Sequence, residues 1–401
     1  MRFLPLLLTV FIDSLGFGLV FPMLGMLIMQ ADGGMMPVEA SVATRGWVFG
    51  LLVSCFCMGQ FFGGPILGAL SDRKGRKKVL LATLVLAFFG YILGVVSLWS
   101  QSIFLFLFSR IVSGVAAGNF SIAQSMVVDS SSEDKAKNFG LIGMAWGAGF
   151  ILGPYFGGQL ATPDLWRGAM PLCFAAALCL VNLIWLLLAV KETLPVAQIR
   201  KINFMAGFED LKKAFSHPKL RGIFLVMFIF SFGWGFFTEF SALFLIRRLD
   251  FNQQQIGYFY AWVGIWVALS QGVFIRPFLK RFSPQALLRG ALLGLGLVLP
   301  LMLLVHTSFY LFLLLPLLAL FESFIFPTAS TIVSDLTSKE AQGEILGVHS
   351  SIQWAAIGIA PLFSGSVVAL YPHLPITVAS AGMFLAYLLF LWIWRRKPVE
   401  T

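Results

Sequence analysis

Four ionisable side chains stand apart from the other charges, each within a long apolar run: Asp13, Arg110, Glu239 and Glu322. Asp13 lies about ten residues into its run, roughly 15 Å deep at 1.5 Å per helical residue. An ionised carboxylate at that depth is costly, which suits a site where a proton and a substrate alternate. A neutral, hydrogen-bonded packing acid is the competing reading. Arg110 keeps its charge when buried, so it can repel a nearby proton or hold a carboxylate; plain structural pairing competes. Glu239, towards the outer half of the seventh run, and Glu322, mid-way along the tenth, can each take a cation or a proton on the same burial logic. His349, about a turn and a half into the eleventh run, reads as a packing or interfacial histidine.

What must position these groups follows from composition. The 401 residues are 59% hydrophobic and 11% charged, where soluble domains carry roughly 25% charged residues. With a mean hydropathy of +0.89, one aqueous core cannot hide this surface, and lipid must be the solvent. A membrane span needs about 20 apolar residues. Twelve stretches qualify, from 4–29, 46–69 and 79–99, through 103–128 and 139–161, to 375–394. The first run, out to Met29, is too long for a signal-peptide core and reads as span one. An even number of spans puts both termini on one side. Alternate loops then carry 23 lysines and arginines on that side against four opposite (Arg45, Arg167, Arg247, Arg248). The excess marks that side as cytoplasmic. It also accounts for the net charge of +10, so no nucleic-acid partner is expected.

The fold expected is all-α and polytopic, with 12 transmembrane helices in two pseudo-symmetric six-helix bundles. Residues 1–190 form the first bundle, 191–221 a cytoplasmic linker with a short amphipathic helix around Glu209–Lys213, and 222–401 the second bundle. The halves are faintly related. Ser14-Leu-Gly16-Phe-Gly18 recurs as Ser231-Phe-Gly233-Trp-Gly235, and Gly140, Pro154 and Gly158 recur at a constant offset of 207 as Gly347, Pro361 and Gly365. Asp129 and Asp335 close spans four and ten alike. Many secondary transporters are built from such repeats, with the substrate near the bilayer midplane.

Between spans two and three stands Gly68-Ala-Leu-Ser-Asp72-Arg73-Lys-Gly75-Arg76-Lys77-Lys78. Its spacing resembles the signature loop of the major facilitator superfamily nearly position for position, and the resemblance spans essentially the whole chain. It implies that Asp72, Arg73 and Arg76 form a gating loop that braces the two halves. Gly68 is expected to let helices approach closely and Gly75 to allow a tight turn. The counterpart after span eight, Arg276-Pro-Phe-Leu-Lys280-Arg281, keeps the basic residues without the glycine and aspartate, so the clamp is expected to be one-sided.

Further resemblances narrow the branch. Span five carries Gly143-x3-Gly147 and Gly149-x3-Gly153-Pro154-x2-Gly157-Gly158, a smooth face with a kink-prone proline. It resembles the motif of the family's antiporters. Asp13-Ser-Leu-Gly16-Phe-Gly18 is similar to the first helix of tetracycline-resistance efflux pumps, which also place an acid there. Arg110-Ile-Val-Ser-Gly114 resembles a family motif linked to proton coupling.

Asn119, Gln124, Trp146, Trp234, Gln353 and Trp354 are candidates to line a cavity, among 42 phenylalanines that would suit amphipathic or cationic cargo. The four cysteines fall inside apolar runs and read as packing residues. No metal site is indicated, no GxxxxGK[ST] loop is present and no nucleophile–base pair stands out, so the chain is not expected to be an enzyme. No cofactor is expected beyond a driving proton gradient. The leading expectation is a monomeric exporter in a bacterial inner membrane, exchanging protons for a small amphipathic molecule or drug. An importer of a metabolite or siderophore, and a sensor that moves nothing, remain alternatives.

Overall fold

The computed structural model describes residues 4–29, 35–129, 135–161, 168–193, 206–216, 218, 220–337, 342–371 and 373–395. Among these, all regular structure is helical. The first half contains α1 (Leu4–Leu24, continued by a π-helical turn at Gly25–Met29), α2 (Val42–Lys74), α3 (Arg76–Trp99), α4 (Ile103–Ala117), α5 (Asn119–Asp129), α6 (Lys135–Leu160) and α7 (Met170–Ala189). The short α8 (Ala206–Ser216) precedes α9 (Arg221–Leu249) and α10 (Gln253–Leu269), which passes through a π turn at Ser270–Phe274 into α11 (Ile275–Arg281). The chain ends with α12 (Pro284–Leu303), α13 (Ser308–Asp335), α14 (Gln342–Leu370) and α15 (Leu374–Arg395).

Ten helical segments are long and apolar enough to cross a membrane. Helices α6 and α14, of 26 and 29 residues, complete the twelve crossings, with α4–α5 and α10–α11 each serving as one. The chain divides into two compact units, Met1–Ala206 with Phe251–Ala261, and Gly207–Asp250 with Trp262–Thr401. Of the expected linker, residues 194–205 lie outside the described residues. Helix α8 exposes Phe208 and Phe215 and buries Ala214.

Glycine sets the closest packing in each unit. A β-carbon at Gly153 of α6 would stand 2.6 Å from the Leu15 carbonyl oxygen of α1, and one at Gly149 would overlap the Phe11 carbonyl. The glycine motif of span five therefore brings α6 backbone-to-backbone against α1, a contact that any side chain would prop open. The internal repeat recurs in three dimensions. A β-carbon at Gly18 would meet Gly153 and Pro154 of α6, and one at Gly235 of α9 would meet Ala360 of α14 at 2.8 Å. Ala360 and Pro361 stand 207 residues after Gly153 and Pro154.

The basic stretch after span two turns sharply: α2 runs on to Lys74, α3 starts at Arg76, and Gly75 alone breaks the helix at φ 98°. That backbone conformation is one that glycine adopts without steric cost. Gly68 does not make the tight contact expected of it, since a β-carbon there would find its nearest neighbour, Ser121 Oγ, at 3.8 Å. The close approach lies deeper, where Gly59 and Gly63 of α2 face the backbone of α4 at Ile111 and Val115. Span four is also split, with Gly118 separating α4 from α5.

Candidate functional site

In the first unit, Asp13 projects from the middle of α1 and accepts a hydrogen bond from Asn119 Nδ2 at the start of α5 (3.3 Å). Asn119 is fully buried, and its own Oδ1, like Asp13 Oδ2, has no hydrogen-bond partner. One turn earlier on α1, Thr9 Oγ1 accepts from Asn182 Nδ2 of α7 at 2.8 Å and donates to the Pro5 carbonyl at 3.0 Å. Ser14 Oγ donates to the Trp146 carbonyl of α6 at 2.6 Å, which fixes the face of α1 that carries Asp13.

Arg110, on α4, is 2% exposed, and neither Nε nor Nη2 has a hydrogen-bond partner. Its guanidinium carbon lies 5.5 Å from the centroid of the Phe106 ring. It lines a small cavity of about 10 Å³ with Phe17, Val20 and Leu24 of α1 and Leu52, Val53 and Phe56 of α2. A guanidinium in an apolar wall with free N–H groups is poised to hold an anionic or polar group, because a buried donor left unmade is costly.

The second unit carries the other acids. Glu239 on α9 is 2% exposed, neither carboxyl oxygen has a hydrogen-bond partner, and no ion pair is made to it among the described residues. Glu322 is half-buried on α13, between Pro316 and Pro327. His349 is buried on α14 between Phe326 (ring centroids 5.2 Å apart, 7° between planes) and Phe224 (6.3 Å), with Ser330 Oγ 3.4 Å from Nδ1. That is the packing role its sequence position suggested.

The cavity candidates are divided between the two units. Asn119 joins Asp13, whereas Trp146 is half-buried and stacked on Phe150 (5.3 Å). Trp234 is stacked between Phe230 and Phe237, at 6.3 and 4.9 Å. Gln353 and Trp354 are half-buried on α14, and the Gln124 side chain lies outside the described residues. In the gating stretch, Asp72 Oδ1 lies 3.5 Å from Arg76 Nη2 and Arg73 is exposed.

Sequence reasoning missed three groups. Glu192 follows α7 and accepts the backbone N–H groups of Arg76 and Lys77 at 3.0 and 3.1 Å. Lys77 Nζ donates to the Leu187 carbonyl at 3.0 Å. Asn182, an amide inside an apolar run, was a signal in plain view. Tyr91 of α3 is buried, and a β-carbon at Gly16 would overlap its hydroxyl; one tyrosine among seven carries no such mark in the sequence.

Twelve helical crossings in two related units, with ionisable groups held inside the bundles, define a multi-pass membrane transporter. The Major Facilitator Superfamily pattern matches residues 6–300 and 272–401, and the chain belongs to that family. It is 27% identical over 384 residues to the quinolone resistance protein NorA of Staphylococcus aureus, covering 92% of this chain and 91% of that protein. With the class C tetracycline resistance protein of Escherichia coli it shares 30% over 295 residues, 70% of this chain and 68% of the other. It matches the crystal structure of the human organic anion transporter MFSD10 with a TM-score of 0.73 and 26% identity, covering 97% of this chain and 98% of that one. The likeness to tetracycline-resistance proteins expected from span one is thus found along most of the chain.

Proposed function

We propose that this transporter exports a small amphipathic molecule or drug in exchange for protons, by alternating access. The observation that carries the reading is the Asp13–Asn119 pair on α1 and α5, an intramembrane acid with one oxygen engaged and the other free. Asp13 and Arg110 serve coupling in the first unit, and Glu239 and Glu322 take the proton or a cationic group in the second. Asp72, Arg73 and Arg76 act as a gating element. The proton gradient is the only power source the reading needs, and a monomer is its working unit. Similarity to two proteins named for quinolone and tetracycline resistance supports the outward direction and the cargo class. The charge asymmetry of the loops supports cytoplasmic termini; a bacterial inner membrane is the location the reading assigns.

A second reading concerns the cargo alone. The free N–H groups of Arg110 favour an anionic group on the cargo, in keeping with the organic anion transporter among the similar structures.

Everted membrane vesicles with an imposed pH gradient, acid inside, test direction and cargo together. Norfloxacin, tetracycline, ethidium and a fluorescent organic anion are offered in turn. Gradient-dependent accumulation of any of them is expected. Uptake into intact cells that collapses with an uncoupler would instead make the protein an importer.

A further inference from the structure

Helix α8 leaves two large apolar side chains exposed, Phe208 at 45% and Phe215 at 40%. They stand seven residues apart, two helical turns, and so project within about 20° of one another. Around the axis, buried Ala214 lies on one side of this aromatic pair, and exposed Lys212 and Glu209 lie on the other. The surface of α8 thus runs from protein contact, through aromatic rings, to charge. No other helix packs extensively along it among the described residues.

The neighbouring span says what covers the aromatic pair. Helix α9 begins at Arg221, just after α8 ends at Ser216, and its Arg221–Ala242 portion is long and apolar enough to cross a membrane. The Phe215 ring packs edge-on against Phe228 of α9, with centroids 6.4 Å apart and 75° between planes. Phe228 lies roughly 10 Å along the span from Arg221, at 1.5 Å per residue. For Phe215 to reach it, α8 must fold back beside the first two turns of α9. An interfacial helix buries its apolar side about 5–10 Å into the boundary of headgroups and acyl chains, the depth that this contact sets. Leu225, three residues from Phe228 and on the same side of α9, is 38% exposed. The apolar surface of α8 therefore continues onto the outer surface of the span. Charge matches the same setting. Between residues 200 and 221 the chain carries six lysines and arginines against two acids, and basic side chains at a membrane surface attract anionic lipid. Lys212, beside the aromatic pair, and Arg221, at the head of α9, are both exposed.

We propose that α8 is a membrane-surface anchor that binds anionic phospholipid: Phe208 and Phe215 insert among the acyl chains, and Lys212 meets the headgroup phosphate. Through the Phe215–Phe228 contact the anchor sets the level at which α9, and with it Glu239, sits in the bilayer. The anchor goes beyond the transport reading and depends on neither its cargo nor its direction.

Photocrosslinking reads what covers the helix. The full-length protein carrying Phe208→p-benzoylphenylalanine, one aromatic side chain for another at an exposed position, is placed in nanodiscs of equal phosphatidylcholine and phosphatidylglycerol and irradiated. Mass spectrometry of the peptide holding position 208 is expected to show lipid adducts, with phosphatidylglycerol in excess. Adding Lys212→Gln is expected to lower the ratio of phosphatidylglycerol to phosphatidylcholine adducts about fivefold, the weight of one basic residue at an anionic surface. Adducts to a second copy, to other residues of this chain, or to nothing, in place of lipid, would overturn the anchor. An unchanged lipid ratio in Lys212→Gln would overturn the assignment of Lys212 to the headgroup.

Discussion

The carboxylate of Glu192 closes the first turn of α3, taking the backbone N–H groups of Arg76 and Lys77 on its two oxygens at 3.0 and 3.1 Å. More than a hundred residues separate the partners, yet they fix the break at Gly75 on which the basic signature turns. A carboxylate at a helix N-terminus satisfies donors that the helix itself cannot, and it meets the positive end of the helix dipole. Gly75 is required twice over: its φ is 98°, and a β-carbon would stand 2.6 Å from Glu192 Oε2. Glu192→Ala is expected to cost about 1 kcal/mol, the usual loss of a helix cap. Gly75→Ala is expected to cost more, about 2 kcal/mol, from left-handed strain together with the lost cap. Thermal unfolding in detergent measures both. If the two variants unfold with the parent, the cap does not hold the turn.

How much of this was legible in the sequence follows from particular residues. Asp13, Arg110, Glu239 and Glu322 were visible because a charge in an apolar run is conspicuous, and Arg110 and Glu239 are indeed buried. The break between α2 and α3 was visible in Gly75, but its cap was not, since nothing local points to Glu192 across α3 to α7. Gly68 was assigned a close contact that belongs to Gly59 and Gly63, because glycine spacing marks a smooth face without saying where the neighbouring helix crosses it. Tyr91 was invisible for the same reason: its meaning comes from Gly16, on another helix.

The glycines of α6 make a sharp internal comparison. A β-carbon at Gly153 would stand 2.6 Å from the Leu15 carbonyl oxygen, whereas one at Gly147 would meet nothing within 4 Å. Gly153→Ala must push α1 and α6 apart and is expected to destabilise by about 1–3 kcal/mol, the usual range for overpacking. Gly147→Ala gains helix propensity at an open site and is expected to stabilise by roughly 0.5–1 kcal/mol. Paired unfolding curves decide the matter. Equal effects of the same sign would show that helix propensity, not the α1–α6 contact, governs this face.

Glu239 offers a test that separates function from stability. Because neither of its oxygens has a hydrogen-bond partner, an amide of the same shape removes no contact. Glu239→Gln is therefore expected to unfold at or slightly above the parent temperature. On the proposed reading it loses gradient-driven flux in everted vesicles, with downhill movement of the same compound retained. Undiminished gradient-driven flux would remove Glu239 from the coupling reaction.

Asp13 differs in that its partner survives substitution. Asn119 donates through Nδ2 at 3.3 Å, and an asparagine at position 13 presents a carbonyl oxygen to the same donor. Asp13→Asn should thus keep the α1–α5 contact, and its unfolding temperature is expected to stay close to the parent's. Asp13→Leu leaves the fully buried Asn119 donor unsatisfied, a loss of about 1–3 kcal/mol, and should unfold earlier. Both variants are expected to lose proton-driven flux, because neither side chain at position 13 can carry a proton in and out. The combination is diagnostic: normal stability with no coupled flux in Asp13→Asn assigns chemistry to the carboxylic acid rather than to its packing. Coupled flux that persists in Asp13→Asn but fails in Asp13→Leu would reverse the assignment, leaving Asp13 as a hydrogen-bonded strut between α1 and α5.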